Sequence, residues 1–125
     1  MRVLFTGSRY ANDLEPIKNA VLAYLEAKEW GGFVVSDATF IHGGATGTDS
    51  LVSALAAELG AAVEIHAANW NQYGRDAGPI RNQKMVMTGA EVCFAFPGPQ
   101  STGTWDCIRR AVKAGIPTFI YPSVK

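Results

Sequence analysis

The stretch AEVCFAFPGPQSTGTWDCIRRAVKAG, residues 90–115, decides the fold of this chain. It begins as a short apolar run, passes through Pro, Gly, Ser and Thr, and continues with the apolar spacing of a helix. These parts predict a buried strand over 90–98, a tight loop, and a helix over 101–115. A buried strand that leads directly into a helix is the repeating unit of a parallel sheet.

The same unit recurs along the chain, so that strands and helices alternate. Strands are predicted over 2–7, 39–44, 61–68, 90–98 and 116–122. Helices are predicted over 12–30, 46–60, 79–89 and 101–115, with a polar, aromatic loop at 69–78 and an ambiguous segment at 31–38. This order predicts an α/β fold, in which a mostly parallel five-stranded sheet carries helices on both faces. No repeat or linker interrupts the pattern, so one domain is expected over 1–125.

Composition limits the classes of function that the chain can have. Hydrophobic residues make up 48% of the 125 residues, which is enough for a buried core. Lys plus Arg and Asp plus Glu both number 11, and a net charge of zero argues against a dedicated binder of duplex nucleic acid and makes a nucleic-acid partner unlikely. The two cysteines and two histidines lack metal-ligand spacing, so no metal and no cofactor are expected. No signal peptide or membrane-length apolar run is evident, so a cytoplasmic protein without membrane contact is expected.

Small polar residues follow the predicted strands, where the ligands of parallel α/β sheets bind. Glycines at such positions let a ligand approach the backbone, and the free N–H groups of a helix start attract anions. The candidate ligand-binding residues are Gly7, Ser8 and Arg9 after the first strand, Gly43, Gly44, Thr46 and Thr48 after the second, and Gly98, Ser101, Thr102, Gly103 and Thr104 after the fourth. Each turn, taken alone, also suits an ordinary connection between a strand and a helix.

Arginines and aromatic residues add to this candidate site. Arg75 and Arg81, with the neighbouring Asn82, are candidates for phosphate contact, to which the guanidinium group is suited. Arg81 could equally pair with a surface carboxylate. Trp70 and Tyr73 could stack on a base or cover the edge of the core, and Tyr73 is the candidate ligand contact.

Two common nucleotide motifs are absent. Neither glycine loop is followed by the lysine of GxxxxGK[ST], and the first turn offers only Gly7 where GxGxxG needs three glycines. The chain is therefore expected to be neither a P-loop NTPase nor a standard NAD dehydrogenase.

Several ionisable residues leave more than one interpretation open. His42 could be a general base or a hydrogen-bonded structural residue, and His66 has no evident partner. Asp49 and Asp106 lie in the first turns of predicted helices, where a carboxylate also stabilises the helix dipole. Arg109 and Arg110 are expected on a solvated helix face.

Four segments together resemble one family. They are MRVLFTGSR (1–9), IHGGATGTDSLV (41–52), NWNQYGRDAGPIRNQKM (69–85) and FAFPGPQSTGTWDCIRRAVKAGIP (94–117). In this order they resemble the YspA-like branch of the SLOG superfamily, which is related to the DNA-processing protein DprA and to the LOG phosphoribohydrolases. The resemblance implies a Rossmann-like three-layer sandwich, and a pocket for a nucleotide-derived ligand whose phosphate is held by the two glycine loops. It also implies a bacterial or phage source.

The LOG enzymes cleave the N-glycosidic bond of a nucleoside monophosphate, and their loop reads PGGxGTxxE. The pairs at 97–98 and 103–104 match the ends of that loop, but two extra residues intervene, and Cys107 stands where the glutamate is expected. The resemblance thus implies phosphate binding more directly than hydrolysis. Asp106 and Asp49 are the candidate catalytic residues, because hydrolysis would need a carboxylate.

Three functions follow as expectations. The first is a module that binds or senses a nucleotide or nucleotide-derived small molecule. The alternatives are a LOG-like phosphoribohydrolase, which is an N-glycosidic hydrolase, and a DprA-like accessory protein that binds single-stranded DNA. Zero net charge argues against the third. Related proteins commonly form homodimers, and this chain could do the same.

Overall fold

The computed structural model describes residues 1–29 and 35–122. Within these ranges the strands are β1 Arg2–Gly7, β2 Thr39–His42, β3 Ala62–Ile65, β4 Val92–Phe96 and β5 Thr118–Ile120. The helices are α1 Glu15–Glu29, α2 Thr48–Leu59, the single turn α3 Trp70–Tyr73, α4 Ala77–Val86 and α5 Thr102–Lys113. Short 3-10 turns lie at Val35–Asp37 and Gly74–Asp76. Of the segment with the ambiguous prediction, residues 31–34 lie outside the described residues.

The five strands form one sheet in the order β3-β2-β1-β4-β5, and every neighbouring pair is parallel. The longest pairing joins β1 to β4, with Val3 opposite Val92 and Gly7 opposite Phe96. Every residue of β4 is buried, as expected for a strand covered on both faces. The predicted α/β fold is confirmed, and the sheet is parallel throughout.

Alternate residues of the central strands belong to two hydrophobic cores, which lie on opposite faces of the sheet. Val3 and Phe5 belong to the core beneath α1 and α2. Leu4 and Cys93 belong to the core beneath α4 and α5. This is the layering of a Rossmann-like sandwich. In the ranges that the structure describes, none of the helices has both the length and the apolar character needed to cross a bilayer.

The prediction of a loop at 69–78 is wrong in part. Asn69 begins a helical turn by accepting the N–H of Gln72 with its side chain, at 3.1 Å. The chain then passes through α3 and a 3-10 turn, and α4 begins two residues before Pro79. The Trp70 ring packs so closely on Gly78 that a Cβ there would lie 3.3 Å from it. The segment is therefore folded against the start of α4.

The order of the strands creates a crevice at the carboxyl edge of the sheet. From β1 the chain moves outward on one side to β2 and β3, and it later returns to place β4 and β5 on the other side. The segments that follow β1 and β4 therefore diverge. A ligand of an open parallel sheet binds at such a switch point.

Candidate functional site

A cleft of about 600 Å³ opens at this switch point. Four arginines and two aspartates are the charged residues of its described lining: Arg9, Arg75, Arg81, Arg109, Asp49 and Asp106. The chain as a whole has no net charge, so this excess of positive charge is local to the cleft. Such a local excess attracts an anionic ligand.

The first turn of α5 lines this cleft. Ser101 precedes the helix but makes no capping hydrogen bond, because its Oγ accepts the N–H of Gly98 at 2.8 Å. The first N–H groups of a helix have no acceptor within the helix, so those of Gly103 and Thr104 are left for a ligand. The first turn contains no acidic residue, and a Cβ added to Gly103 would meet no atom of the described chain within 4 Å. This helix start therefore offers both donors and space to an oxyanion.

The loop before α2 is arranged differently, because a carboxylate occupies its donors. Asp49 Oδ2 accepts the N–H groups of Gly43 and Ala45, at 3.2 and 3.1 Å. The N–H of Gly44 donates to His42 Nδ1 at 3.0 Å. All three amides are thus engaged within the protein. The loop before α2 therefore differs from the one before α5, because its amides at residues 43–45 already have acceptors within the protein.

Thr46, before α2, and Thr48, its first residue, hold the loop after β1 in place through hydrogen bonds. The backbone N–H and the Oγ1 of Thr48 both donate to the carbonyl oxygen of Ser8, at 3.0 and 2.9 Å. Thr46 Oγ1 donates to the carbonyl oxygen of Arg9 at 3.1 Å. These bonds position Ser8 and Arg9 at the rim of the cleft, whereas the two threonines lie outside its lining.

Asp49 is buried, but one of its two carboxylate oxygens has no hydrogen-bond partner among the described residues. Its exposed fraction is 8%, and burial raises its pKa to about 6. The N–H groups of Ala45 and Gly43 and the charge of Arg81 oppose this rise only in part. The protein hydrogen bonds of the described structure use Oδ2 alone, so Oδ1 can contact a ligand. A carboxyl group that titrates near neutral pH is suited to proton transfer.

Replacing Asp49 with Asn is expected to raise stability at pH 7 and to leave it unchanged near pH 4. A raised carboxyl pKa means that the folded state holds the proton more tightly, so the wild type loses stability as the pH rises from 4 through 6. The shift of about 2 pKa units corresponds to about 3 kcal/mol. The Asn side chain does not ionise, so the variant does not lose stability as the pH rises. Its amide oxygen can accept the N–H groups of Gly43 and Ala45. Urea unfolding of both proteins from pH 4 to pH 8 measures the difference, and a difference independent of pH would refute the assignment.

Arg81 is held by carbonyl oxygens, and the described structure shows no salt bridge to it. Its Nη1 donates to the carbonyl oxygen of Gly43 at 2.7 Å, and its Nε donates to Asn82 Oδ1 at 3.0 Å. A Cβ on residue 43 would overlap the guanidinium group, so glycine there admits the side chain. The surface ion pair that the sequence left open is therefore not formed, and the charge of Arg81 is available to a ligand.

Asp106 is fixed in the cleft as an anion. Its Oδ2 accepts Arg110 Nε at 2.9 Å and Asn82 Nδ2 at 3.0 Å. Burial acts to raise its pKa, but these hydrogen bonds outweigh burial, and the pKa lies below its ordinary value. Oδ1 has no hydrogen-bond partner in the described part of the chain, so Asp106 offers a ligand an ionised acceptor. Arg110 also donates to Gln83, so it belongs to this network and is not simply a solvated arginine.

Cys107, at the position of the LOG glutamate, lies beneath the cleft. Its side chain is fully buried, and burial raises its pKa to about 11. The thiol is therefore protonated at neutral pH and cannot replace a catalytic carboxylate.

The structure brings most of the predicted site residues together. Both candidate catalytic residues, Asp49 and Asp106, line the cleft. So do eleven of the candidate ligand-binding residues, namely Gly7, Ser8, Arg9, Gly43, Arg75, Arg81, Asn82, Ser101, Thr102, Gly103 and Thr104. Five others lie outside its lining, namely Gly44, Thr46, Thr48, Tyr73 and Gly98.

Trp70 is the aromatic residue of segment 69–78 that lines the cleft. Its side chain is 59% exposed, so its ring is available for stacking. Tyr73 lines a separate, smaller depression near the end of β3. The sequence analysis named Tyr73 as the candidate ligand contact, whereas Trp70 is the residue that lines the cleft, because the helical turn that carries both was predicted as a loop.

Tyr10, Gln100 and Arg109 are among the cleft residues that the sequence analysis did not predict as part of the site. Tyr10 is 79% exposed, and the Arg9 guanidinium lies 5.5 Å from its ring centre. Gln100 has a positive φ of 61°, a strained conformation in the loop before α5. Arg109 follows Asp106 by three residues, and this spacing places both on one side of a helix. The spacing of Arg109 from Asp106 was the one signal available in the sequence. The backbone conformation of Gln100 and the exposure of Tyr10 produce no sequence pattern.

The two histidines have structural partners. His42 is 3% exposed, its Nε2 lies 2.6 Å from Ser53 Oγ, and burial lowers its pKa. Of the two interpretations of His42, a general base or a hydrogen-bonded structural residue, these contacts support the second. His66 does have a partner, because its Nε2 lies 2.7 Å from Glu64 Oε2. In residues 1–29 and 35–122, no three His, Cys, Asp or Glu side chains come together as a metal site.

The fold and the cleft define a Rossmann-like α/β protein with a candidate anion site at the switch point of its sheet. A family model described as the YspA, cpYpsA-related SLOG family matches residues 1–73. The Gene 61 protein of Mycobacterium phage D29 is 40% identical over 123 residues, which covers 94% of each chain. The chain therefore belongs to the YspA, cpYpsA-related SLOG family. No solved structure matches it.

Proposed function

We propose that the cleft binds a nucleotide or nucleotide-derived small molecule, whose phosphate lies at the start of α5. The observation that carries the proposal is the open first turn of that helix, where the amides of Gly103 and Thr104 adjoin a cleft with four arginines. A helix start and guanidinium groups are two independent attractors of phosphate. Membership of the SLOG family is consistent with nucleotide-related binding.

The carboxylates of the cleft favour hydroxyl groups on the remainder of the ligand. Asp106 is ionised and has one oxygen free, so it accepts a hydrogen bond from a sugar hydroxyl and repels a phosphate. Asn82 supports it from α4 and also donates to the carbonyl oxygen of Gly103, at 3.1 Å. The sugar therefore lies next to the phosphate, over Asp106. This order of groups is that of a nucleotide.

Trp70 supplies the surface on which a base would stack. The Trp70→Ala variant is expected to weaken AMP binding roughly 5- to 150-fold, because stacking on an aromatic side chain contributes about 1–3 kcal/mol per base. The matched Tyr73→Ala variant is expected to bind AMP as the wild type does, because Tyr73 lies outside the cleft lining. Isothermal titration of both variants measures the effect, and equal losses would contradict the placement of the base.

A thermal-shift panel tests the proposal as a whole. Nucleoside monophosphates and ADP-ribose are expected to raise the unfolding temperature in proportion to the logarithm of their concentration. The matching nucleosides without phosphate are expected to raise it much less. If no phosphate-bearing compound in the panel stabilises the protein, the proposal fails.

A LOG-like hydrolase is the second candidate, and one observation favours it. The cleft holds two carboxyl groups whose pKa values are moved in opposite directions, Asp49 upward and Asp106 downward. Such a separation assigns one group to proton donation and the other to stabilisation of positive charge. The candidate requires release of free base from a nucleoside monophosphate, with loss of that release in Asp106→Asn. If the same nucleotide binds but no free base is released, only the binding function is supported.

A further inference from the structure

A second cavity of about 280 Å³ lies at the carboxyl end of β3 and shares Arg81 with the cleft. We call it the β3 depression, and we define it by His66, Asn69, Tyr73, Arg81 and Lys84 of its lining. Its volume is below the roughly 300–1,000 Å³ of a typical small-molecule site, so it suits a small group better than a whole nucleotide.

The charges of the β3 depression are cationic and lack direct carboxylate partners. Arg81 and Lys84 both line it, and neither makes a salt bridge in the described structure. No carboxylate belongs to its described lining. Glu64 lies behind His66, where it accepts His66 Nε2 at 2.7 Å and Arg2 Nη2 at 2.8 Å. Its charge is therefore already balanced by Arg2.

Hydrogen-bond donors in the β3 depression are also available. The Tyr73 hydroxyl and the Lys84 ammonium group have no hydrogen-bond partner among the described residues. Arg81 commits Nη1 to the carbonyl oxygens of Gly43 and His66, at 2.7 and 3.5 Å, and Nε to Asn82. Its Nη2 has no hydrogen-bond partner among the described residues. The Arg81 side chain also lines the main cleft.

We propose that the β3 depression is a second anion site, which binds a phosphate group through Lys84, Tyr73 and Arg81. The proposal does not depend on the function proposed for the main cleft. The phosphate has two sources in principle, a free inorganic ion or the second phosphate of a ligand whose other end lies in the cleft. Arg81 is common to both cavities, so the two sites share one cation.

Titration of the ¹⁵N-labelled protein with inorganic phosphate, at an ionic strength held constant with sodium chloride, tests the proposal. Saturating shifts are expected at the amides of Ala67, Tyr73 and Lys84. Lys84→Glu is expected to weaken this binding at least about 10-fold, because it reverses a contacting charge. Lys113→Glu is the matched control, since both lysines lie in the last turn of a helix, and it is expected to bind phosphate normally.

The outcomes separate this site from the main cleft and identify the source of the phosphate. Shifts that do not saturate, equal losses in both variants, or shifts confined to Gly103 and Thr104 would overturn the second site. Loss of the Gly103 and Thr104 response alone would count against the main cleft and not against the β3 depression. A parallel titration with ADP-ribose moves Ala67 and Tyr73 if a ligand phosphate reaches the depression. If only inorganic phosphate moves them, the site is supported as one for the free ion.

Discussion

The Gly103→Asp variant is expected to lose nucleotide binding at least about 100-fold while remaining as stable as the wild type. The new carboxylate stands in the first turn of α5, where the proposed phosphate lies, and juxtaposed like charges cost several kcal/mol. The fold tolerates the change, because a Cβ on residue 103 meets no atom of the described residues within 4 Å. An acidic side chain in a first helical turn also interacts favourably with the helix dipole.

Isothermal titration with AMP and ADP-ribose measures the loss, and thermal unfolding checks the stability. Asn19→Asp is the charge-matched control, because Asn19 is exposed on α1 and lies outside the cleft lining. It is expected to bind as the wild type does. If Gly103→Asp binds as tightly as Asn19→Asp, the phosphate does not lie at the start of α5.

The Gly47→Ala variant is expected to lose about 2–6 kcal/mol of stability. Gly47 has φ 71° and ψ −122°, a combination that a residue with a Cβ rarely adopts. A Cβ there would also overlap the backbone of Ser8 and Arg9, which the loop before α2 holds by hydrogen bonds. Strain and overlap each cost about 1–3 kcal/mol, and the two add at this position.

Gly60→Ala is the matched control, because Gly60 also has a positive φ, of 78°, but a Cβ on it would meet no atom within 4 Å in the part of the chain that the structure describes. It is expected to lose only about 1–2 kcal/mol, the cost of the left-handed conformation alone. Urea unfolding compares the two variants. Equal losses would show that the contact between the loops after β1 and β2 is not close enough to exclude a side chain.

The sheet and its order of elements could be predicted because they depend on local patterns. The apolar run of β4 and the spacing of α5 are properties of neighbouring residues, and they identify a parallel strand and its helix. The rule that ligands bind at the carboxyl ends of strands then selects the edge at which the cleft lies. Asp106 and the residues from Ser101 to Thr104 were proposed in this way, and they line the cleft.

The rest of the site depends on contacts that no local pattern encodes. Asp49 accepts the amides of Gly43 and Ala45, and His42 accepts that of Gly44, so three amides of this glycine loop are not free for a phosphate. The helical turn at 70–73 separates Trp70 from Tyr73, and tertiary packing on Gly78 decides that turn. A homodimer, a cytoplasmic location and a single domain over 1–125 stay predictions.

The most direct test of the account is the response of the Gly103 and Thr104 amides to AMP in a ¹⁵N-labelled sample. If phosphate accepts these N–H groups, both amide protons are expected to move downfield and to saturate together with the Trp70 indole signal. Adenosine is expected to move the indole signal alone. Saturable binding of AMP that leaves the signals of Gly103 and Thr104 in place would contradict the central claim.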